Sequence, residues 1–264
     1  MRNGLLSKYN FAVMAATFAY GQAAPVTAEP ESVVHFVQDS DYLPYMGTGK
    51  TGPTGIYTDI MREADRRMPG FRFEIHAVPW KRALYEVETG TADGVIGTYY
   101  KAKERPYIAV FSEPFNDEET FVYCKKGIAQ QTWRYPMDFA DLVFGNNASF
   151  QTPGPEFFDM VRAGKIGLEE ALGTDENLRK LQNGRIDCYV QDGVATDGYI
   201  EAHGYDQIER VKPVKTEQAF VGFSKAFADK QGTDFIPQFN AVILAMKQDG
   251  TIKTIVRRHL GGGS

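Results

Sequence analysis

Two polar residues, Thr98 and Asp192, each follow a copy of one sequence pattern. Each copy reads as a helix, then Gly-x-x-Asp, then an apolar strand, and the copies span residues 84–98 and 178–192. Glycine ends a helix in a left-handed turn without steric cost, and the aspartate can bond the backbone of that turn. Ligands of open α/β sheets bind beyond the carboxyl ends of strands, so we expect Thr98 and Asp192 to face one crevice. Two similar but unrelated turns are the alternative interpretation.

Aromatic residues cluster in sequence around the same predicted crevice. They are Tyr42 and Tyr45 in a loop, Trp80 at a helix start, and Tyr99 and Tyr100 directly after Thr98. Aromatic walls with a few polar anchors are typical of small-molecule pockets. Ordinary core or rim positions are the alternative, above all for Tyr45 and Tyr99.

A helix start is predicted at Thr152, with Thr152 as its cap and Pro153 in the first helical position. The free amides of such a helix start attract an anion. A ligand contact and a purely structural cap are both compatible with this pattern.

Other kinds of chemistry lack a sequence signature. The segment Gly47–Thr51 is not a phosphate loop, because Pro44 stands where the first glycine is required, and it is predicted to be a mobile rim loop. No Gly-x-Ser-x-Gly elbow is present. The four histidines show no ligand spacing, either with one another or with the cysteines; they are His35, His76, His203 and His259. We therefore predict no catalytic residue, no metal site and no cofactor.

The elements that would position these residues alternate between strand and helix. Strands are predicted over Val33–Val37 and Phe71–Val78, and helices over Ile56–Met68 and Trp80–Glu88, with an irregular loop over Tyr42–Pro53. This order predicts an α/β fold with a mainly parallel sheet covered by helices. A strand over 219–224 and two closing helices, which are expected to pack on the first lobe, complete the chain.

Composition and the amino terminus point to an exported globular protein. The 264 residues are 43% hydrophobic and 24% charged, and the net charge of −5 argues against nucleic acid as a partner. Residues 1–28 read as a signal peptide, with cleavage after Ala28 or Ala23. Cys124 and Cys188 are the only cysteines and are compatible either with one disulfide or with two buried thiols. The final four residues, 261–264, resemble a flexible linker.

Several motifs, in order, resemble the periplasmic solute-binding proteins of family 3, which serve amino-acid ABC transporters. The resemblance runs from about Val33 to Leu260. The segments that carry it are 39–45, 55–59, 80–90, 93–98 with Glu104-Arg105, 111–114, 184–187, Gln191-Asp192 and 247–251.

The resemblance implies a type II, two-lobed periplasmic-binding-protein-like fold, with the ligand cleft between the lobes. Lobe 1 would comprise residues 29–118 and 219–264, and lobe 2 residues 119–218. The lobes would be joined by crossing segments near Pro114–Glu119 and Val214–Glu217.

The resemblance also implies roles for individual residues. Arg105 would clamp the α-carboxylate of an amino acid and Asp192 would take its α-ammonium. The other ligand-binding residues are predicted to be Asp39, Tyr42, Trp80, Gly97, Thr98 and Thr152. Two features depart from the family pattern. Tyr100 stands where serine is frequent, and the segment 146–155 does not align with the usual Gly-Ser/Thr pattern. These departures leave the identity of the ligand open.

The predicted function is capture of a small polar solute by hinge closure and delivery to the membrane permease of an ABC transporter. The protein is predicted to act in the periplasm as a monomer, with a zwitterionic amino acid as ligand. Two alternatives are an exported dehydratase of the cyclohexadienyl type, which would need a carboxylic acid in the cleft, and a stand-alone ligand sensor.

Overall fold

The structure is a computed structural model that describes Met1 and residues 32–261. The predicted cleavage sites after Ala23 and Ala28 and the last three residues of the linker-like tail lie outside the described residues. No helix of the described chain has the length and apolar character that crossing a membrane requires.

Twelve strands and eight α-helices follow one another along the described residues. The strands are β1 (Ser32–Asp39), β2 (Asp41–Tyr42), β3 (Met46–Gly49), β4 (Gly52–Thr54), β5 (Phe71–Val78), β6 (Gly94–Thr98), β7 (Ile108–Phe111), β8 (Asn116–Lys125), β9 (Val143–Asn147), β10 (Gly167–Ala171), β11 (Cys188–Asp192) and β12 (Ile208–Ser224). The helices are α1 (Ile56–Arg67), α2 (Trp80–Glu88), α3 (Pro155–Arg162), α4 (Thr174–Gln182), α5 (Gly193–His203), α6 (Lys225–Lys230), α7 (Gly232–Gln248) and α8 (Thr251–Leu260). The α/β class is confirmed.

Nine strands form one sheet in the order β10-β9-β11-β8-β12-β6-β1-β5, and β7 pairs with β12. The pairs at the two ends of the sheet, β10/β9/β11 and β6/β1/β5, are parallel. Antiparallel pairs join these ends through β8 and β12. The two predicted crossing segments lie side by side in this central pair, where Thr216 opposes Glu119 and Glu217 opposes Glu118.

Three clusters of buried hydrophobic residues cover the sheet. The largest joins β1, β5 and β6 to α1, α2, α7 and α8, so the closing helices pack where the sequence predicted. The other two lie on opposite faces of β8 and β11: Val122 and Cys188 belong to one cluster, and Tyr123 and Tyr189 to the other. This is the alternation of period two that a strand covered on both faces requires.

Both copies of the repeat adopt the predicted order of helix, left-handed glycine and strand. Gly90 has φ 73° and Gly184 has φ 68°, values that favour glycine. The aspartates were predicted to bond the backbone of their own turns, but they bind the neighbouring parallel strand instead. Asp93 exchanges two 2.8 Å hydrogen bonds with the backbone of His35, and Asp187 does the same with Val143. Each aspartate therefore fixes its strand against the next one.

Two local predictions are wrong. The stretch Tyr42–Pro53 is not irregular, because β2, β3 and β4 pair as a small antiparallel sheet that includes most of the predicted rim loop. The helix expected to begin at Pro153, with Thr152 as its cap, begins at Pro155, with Gly154 at its amino-terminal cap. The second proline of the Pro-Gly-Pro run takes the first helical position, which suits a residue without an N–H group.

Cys124 and Cys188 form a disulfide between directly opposed residues of β8 and β11. The bond joins positions 64 residues apart in sequence. Of the two states left open by the sequence, the structure contains the bridge.

Candidate functional site

A small cavity lies beyond the carboxyl end of β6. It is lined by Tyr42, Met46, Trp80, Gly97, Tyr99, Arg105, Phe150, Gln151 and Thr152. The cavity leaves about 20 Å³ for water-sized solutes, which is room for a water molecule or two but not for an amino acid. Aromatic rings and one guanidinium therefore enclose a nearly filled space.

Phe150 fills much of the space between the aromatic walls. Its ring centroid lies 5.7 Å from that of Tyr42 and 5.6 Å from that of Trp80, in edge-on contacts. Phe150 belongs to the segment between β9 and α3, whereas the two walls come from residues before β8. Movement of Phe150 away from these walls would enlarge the space that a ligand could occupy.

Arg105 is a buried cation without an ionic partner in the described chain. Its side chain is 5% exposed, and its guanidinium donates to the Thr98 hydroxyl and lies 5.3 Å from the centroid of the Trp80 ring. It forms no ion pair with any described carboxylate. Burial lowers the pKa of Arg105 below its ordinary value. A guanidinium in this state offers unused donors to an anion.

Asp192 is the corresponding buried acid. Its Oδ1 atom caps α5 by accepting a 2.8 Å bond from the Ala195 amide, while Oδ2 is buried without a hydrogen-bond partner among the described residues. Burial raises the pKa of Asp192 to about 6, although the Ala195 amide and the nearby Tyr45 hydroxyl oppose the shift. Oδ1 thus caps a helix, and Oδ2 can accept a hydrogen bond from a ligand.

Asp192 does not line the cavity that Arg105 lines. It lies at a separate surface depression, with Tyr45, Phe121 and Arg210 among its neighbours there. The predicted pair of charges is therefore not assembled around one space in this conformation.

Asp39 is a second acid with an unused oxygen. It ends β1, and its Oδ1 accepts a 3.0 Å bond from the Asp41 amide, while Oδ2 is buried and unpartnered among the described residues. Burial raises its pKa to about 7. Asp39 does not line the cavity.

Glu118 is an acid that the sequence reasoning missed. It is fully buried in the central strand β8 and accepts hydrogen bonds from the hydroxyls of Tyr42, Tyr57 and Tyr99. Burial raises the pKa of Glu118 to about 8, Asp192 adds to the shift, and the tyrosine hydrogen bonds oppose it. Two of these tyrosines, Tyr42 and Tyr99, line the cavity. Glu118 therefore fixes part of the cavity wall through hydrogen bonds without lining the cavity itself.

The structure brings five of the predicted ligand-binding residues around the cavity, namely Tyr42, Trp80, Gly97, Arg105 and Thr152. Thr98 touches this group through Arg105. Asp39 and Asp192 lie elsewhere, as described above. Thr152 lines the cavity but does not cap α3, and its hydroxyl is buried without a partner in the described chain.

Comparison with known proteins places these features in context. Residues 34–262 match the bacterial extracellular solute-binding proteins, family 3. A protein of Haemophilus influenzae described as a "probable amino-acid ABC transporter-binding protein" is 21% identical over 253 residues, which cover 92% of this chain and 91% of the relative.

Two solved structures illustrate the shared fold. An ancestral arginine-binding protein bound to arginine has a TM-score of 0.72 at 15% identity, covering 87% of this chain and 98% of its own. An ancestral amino acid-binding protein, a precursor of cyclohexadienyl dehydratase, has a TM-score of 0.70 at 18% identity, with coverages of 87% and 96%. At such identities the likeness establishes the fold, whereas the family match covers most of the chain. The protein belongs to family 3 of the bacterial extracellular solute-binding proteins.

Proposed function

We propose that this protein captures an amino acid as a zwitterion between two lobes and delivers it to the permease of an ABC transporter. Lobe 1 comprises residues 29–118 and 219–264, and lobe 2 residues 119–218. The protein acts as a monomer in the periplasm after removal of its signal peptide, and it catalyses no reaction. The name of the Haemophilus influenzae relative supports both the ligand class and the transporter partner.

The observation that carries the proposal is the state of the buried charges. Within the described chain, four residues with acidic or basic side chains are buried: Asp39, Arg105, Glu118 and Asp192. None of the four forms an ion pair with another described residue, although exposed ion pairs are numerous. Burying an ion in a protein interior without a counter-ion costs roughly several kcal/mol. A ligand with opposite charges would remove that cost at Arg105 and Asp192 together.

Binding requires the cavity to open and close. Hinge motion at the central strands β8 and β12 would separate Phe150 from Tyr42 and Trp80 and admit the ligand. On closing, the ligand's carboxylate would meet the Arg105 fork and its ammonium would meet Oδ2 of Asp192.

The position of Glu118 argues against a catalytic role for this carboxylic acid. Its raised pKa suits a proton donor. Both of its oxygens, however, accept hydrogen bonds from tyrosine hydroxyls, and the residue does not line the cavity. A general acid must come within hydrogen-bond reach of the reacting group. In this arrangement Glu118 positions tyrosines and does not face a ligand.

The test is calorimetric titration of the twenty amino acids into wild-type protein and into Arg105→Ala. Charge-assisted hydrogen bonds contribute roughly 1.5–3 kcal/mol, so loss of the Arg105 fork should weaken binding about tenfold to a thousandfold. Arg105→Lys should restore little of this loss, because an ammonium lacks the bidentate fork. The matched control is Arg82→Ala, since Arg82 is exposed and pairs with Glu86 on the surface of α2. If Arg105→Ala binds a verified ligand as tightly as Arg82→Ala does, the zwitterion site is wrong.

A further inference from the structure

We propose that His35, Glu74 and His76 form a surface binding site for a divalent transition-metal ion of the zinc type. One donor atom from each residue lies within 4.8 Å of the donors from the other two. The Nδ1 atom of His35 is already 3.4 Å from Oε2 of Glu74. The spacing of 35, 74 and 76 along the sequence gives no hint of this cluster, because strand pairing creates it.

The backbone holds the three residues on one face of two paired strands. In the parallel β1/β5 pair, His35 lies opposite Glu74, and His76 lies two residues further along β5. Side chains two residues apart project from the same face of a strand. The backbone of His35 is fixed by Asp93 on its other side, through the two hydrogen bonds described above. The donors therefore rest on rigid elements.

The distances suit a zinc ion after a small adjustment of the side chains. Bonds from zinc to nitrogen or oxygen of about 2.0–2.1 Å place tetrahedral donors roughly 3.3 Å apart. His35 and Glu74 meet that spacing, and the widest separation must shorten by at most about 1.5 Å. His35 and His76 are exposed, so their rings can rotate without disturbing the core.

Glu74 is oriented for this role by a neighbour. Arg72 donates a 2.7 Å bond to Oε1 of Glu74, which leaves Oε2 directed toward His35. Partners of this kind orient ligands in established metal sites. Arg72 therefore pairs with Oε1 of Glu74, the carboxylate oxygen that would not bind the proposed ion.

The donor set selects the metal. Two imidazoles and one carboxylate suit zinc, and also nickel and copper, whereas calcium and magnesium require a shell of oxygen ligands. Water would complete the coordination on the exposed side. The site lies four residues before Asp39 on β1, roughly 13 Å along the strand. Metal should therefore stabilise the β1/β5 edge without changing affinity for the solute.

The experiment titrates zinc chloride into tag-free, EDTA-treated and dialysed protein by calorimetry. We expect saturable binding of one ion, loss of at least tenfold in affinity in His35→Ala and in His76→Ala, and a zinc-dependent rise in Tm that both variants lose. His203→Ala is the matched control, because His203 is a partly exposed histidine outside the cluster. Calcium chloride should not bind at this site.

Two results would overturn the site: zinc affinity unchanged in the His35→Ala/His76→Ala double variant, or no binding by wild type. Circular dichroism establishes that each variant is folded. The proposed solute-binding function is independent of this outcome, because it depends on none of these three residues.

Discussion

Replacing Glu118 with glutamine should remove much of the pH dependence of the unliganded protein's stability. Burial raises the pKa of Glu118 from 4.5 to about 8. Between these values the folded protein binds a proton that the unfolded chain has released, so the free energy of unfolding falls as pH rises from about 5 to 8. Each pKa unit corresponds to about 1.4 kcal/mol, which gives an upper bound of about 5 kcal/mol for Glu118.

Relaxation and water entry should reduce that bound to about 2 kcal/mol, or roughly 4–8 °C in Tm for a chain of this size. The assay is thermal unfolding of dialysed protein between pH 5.5 and 9, followed by circular dichroism. Wild type should lose stability as pH rises, and Glu118→Gln should lose clearly less. Asp39 and Asp192 also have raised pKa values, near 7 and 6, so a shallower slope of the same sign should persist.

Glu119→Gln is the matched control, because Glu119 is the exposed neighbour of Glu118 on β8. It replaces a carboxyl group by an amide in the same way, but outside the tyrosine cluster. Equal slopes for wild type and Glu118→Gln would refute the reasoning, and so would an equal effect of the two variants.

Three further predictions concern the cavity, the α5 cap and the disulfide. Phe150→Ala should strengthen binding of large amino acids relative to glycine, because the ring occupies the space they need; an unaltered ratio by calorimetry would contradict this. Asp192→Asn should weaken binding about tenfold or more while keeping the helix cap, whereas Asp192→Ala should also lower the free energy of unfolding by about 1 kcal/mol; equal Tm losses in both variants would count against the cap. Thiol labelling of the denatured protein should find no free cysteine, and Cys124→Ala/Cys188→Ala should cost about 2–5 kcal/mol in denaturant unfolding; two labelled thiols would exclude the bridge.

The sequence predicted best where local periodicity and packing agree. The helix Trp80–Glu88 and the strand Phe71–Val78 were predicted with the bounds that the structure has. The start of α3 was misplaced because Thr152 and Gly154 both suit a cap, and only the path of the chain decides between them.

Residues whose roles depend on long-range pairing escaped prediction. Glu118 lies in the run Asp117-Glu118-Glu119, which reads as a solvated charge cluster until strand alternation turns its middle member inward. Phe150 follows a turn and resembles an ordinary core residue, yet it fills the cavity. In both cases the decisive neighbours are distant in sequence, and no local pattern specifies them.

The repeat itself shows how one scaffold can support different chemistry at its two strand ends. Thr98 and Asp192 end equivalent strands, and the two preceding aspartates fix those strands in the same way. Thr98 nevertheless accepts a hydrogen bond from Arg105, whereas Asp192 caps α5. Arg105 lies outside the repeated segment, so the positive charge of the proposed site depends on the connection after β6. Exchange of Thr98 for valine should therefore disturb the orientation of Arg105 and weaken ligand binding while leaving the strand intact. Valine keeps the β-branched shape and removes the hydroxyl, which accepts from Arg105 and donates to the Tyr99 carbonyl.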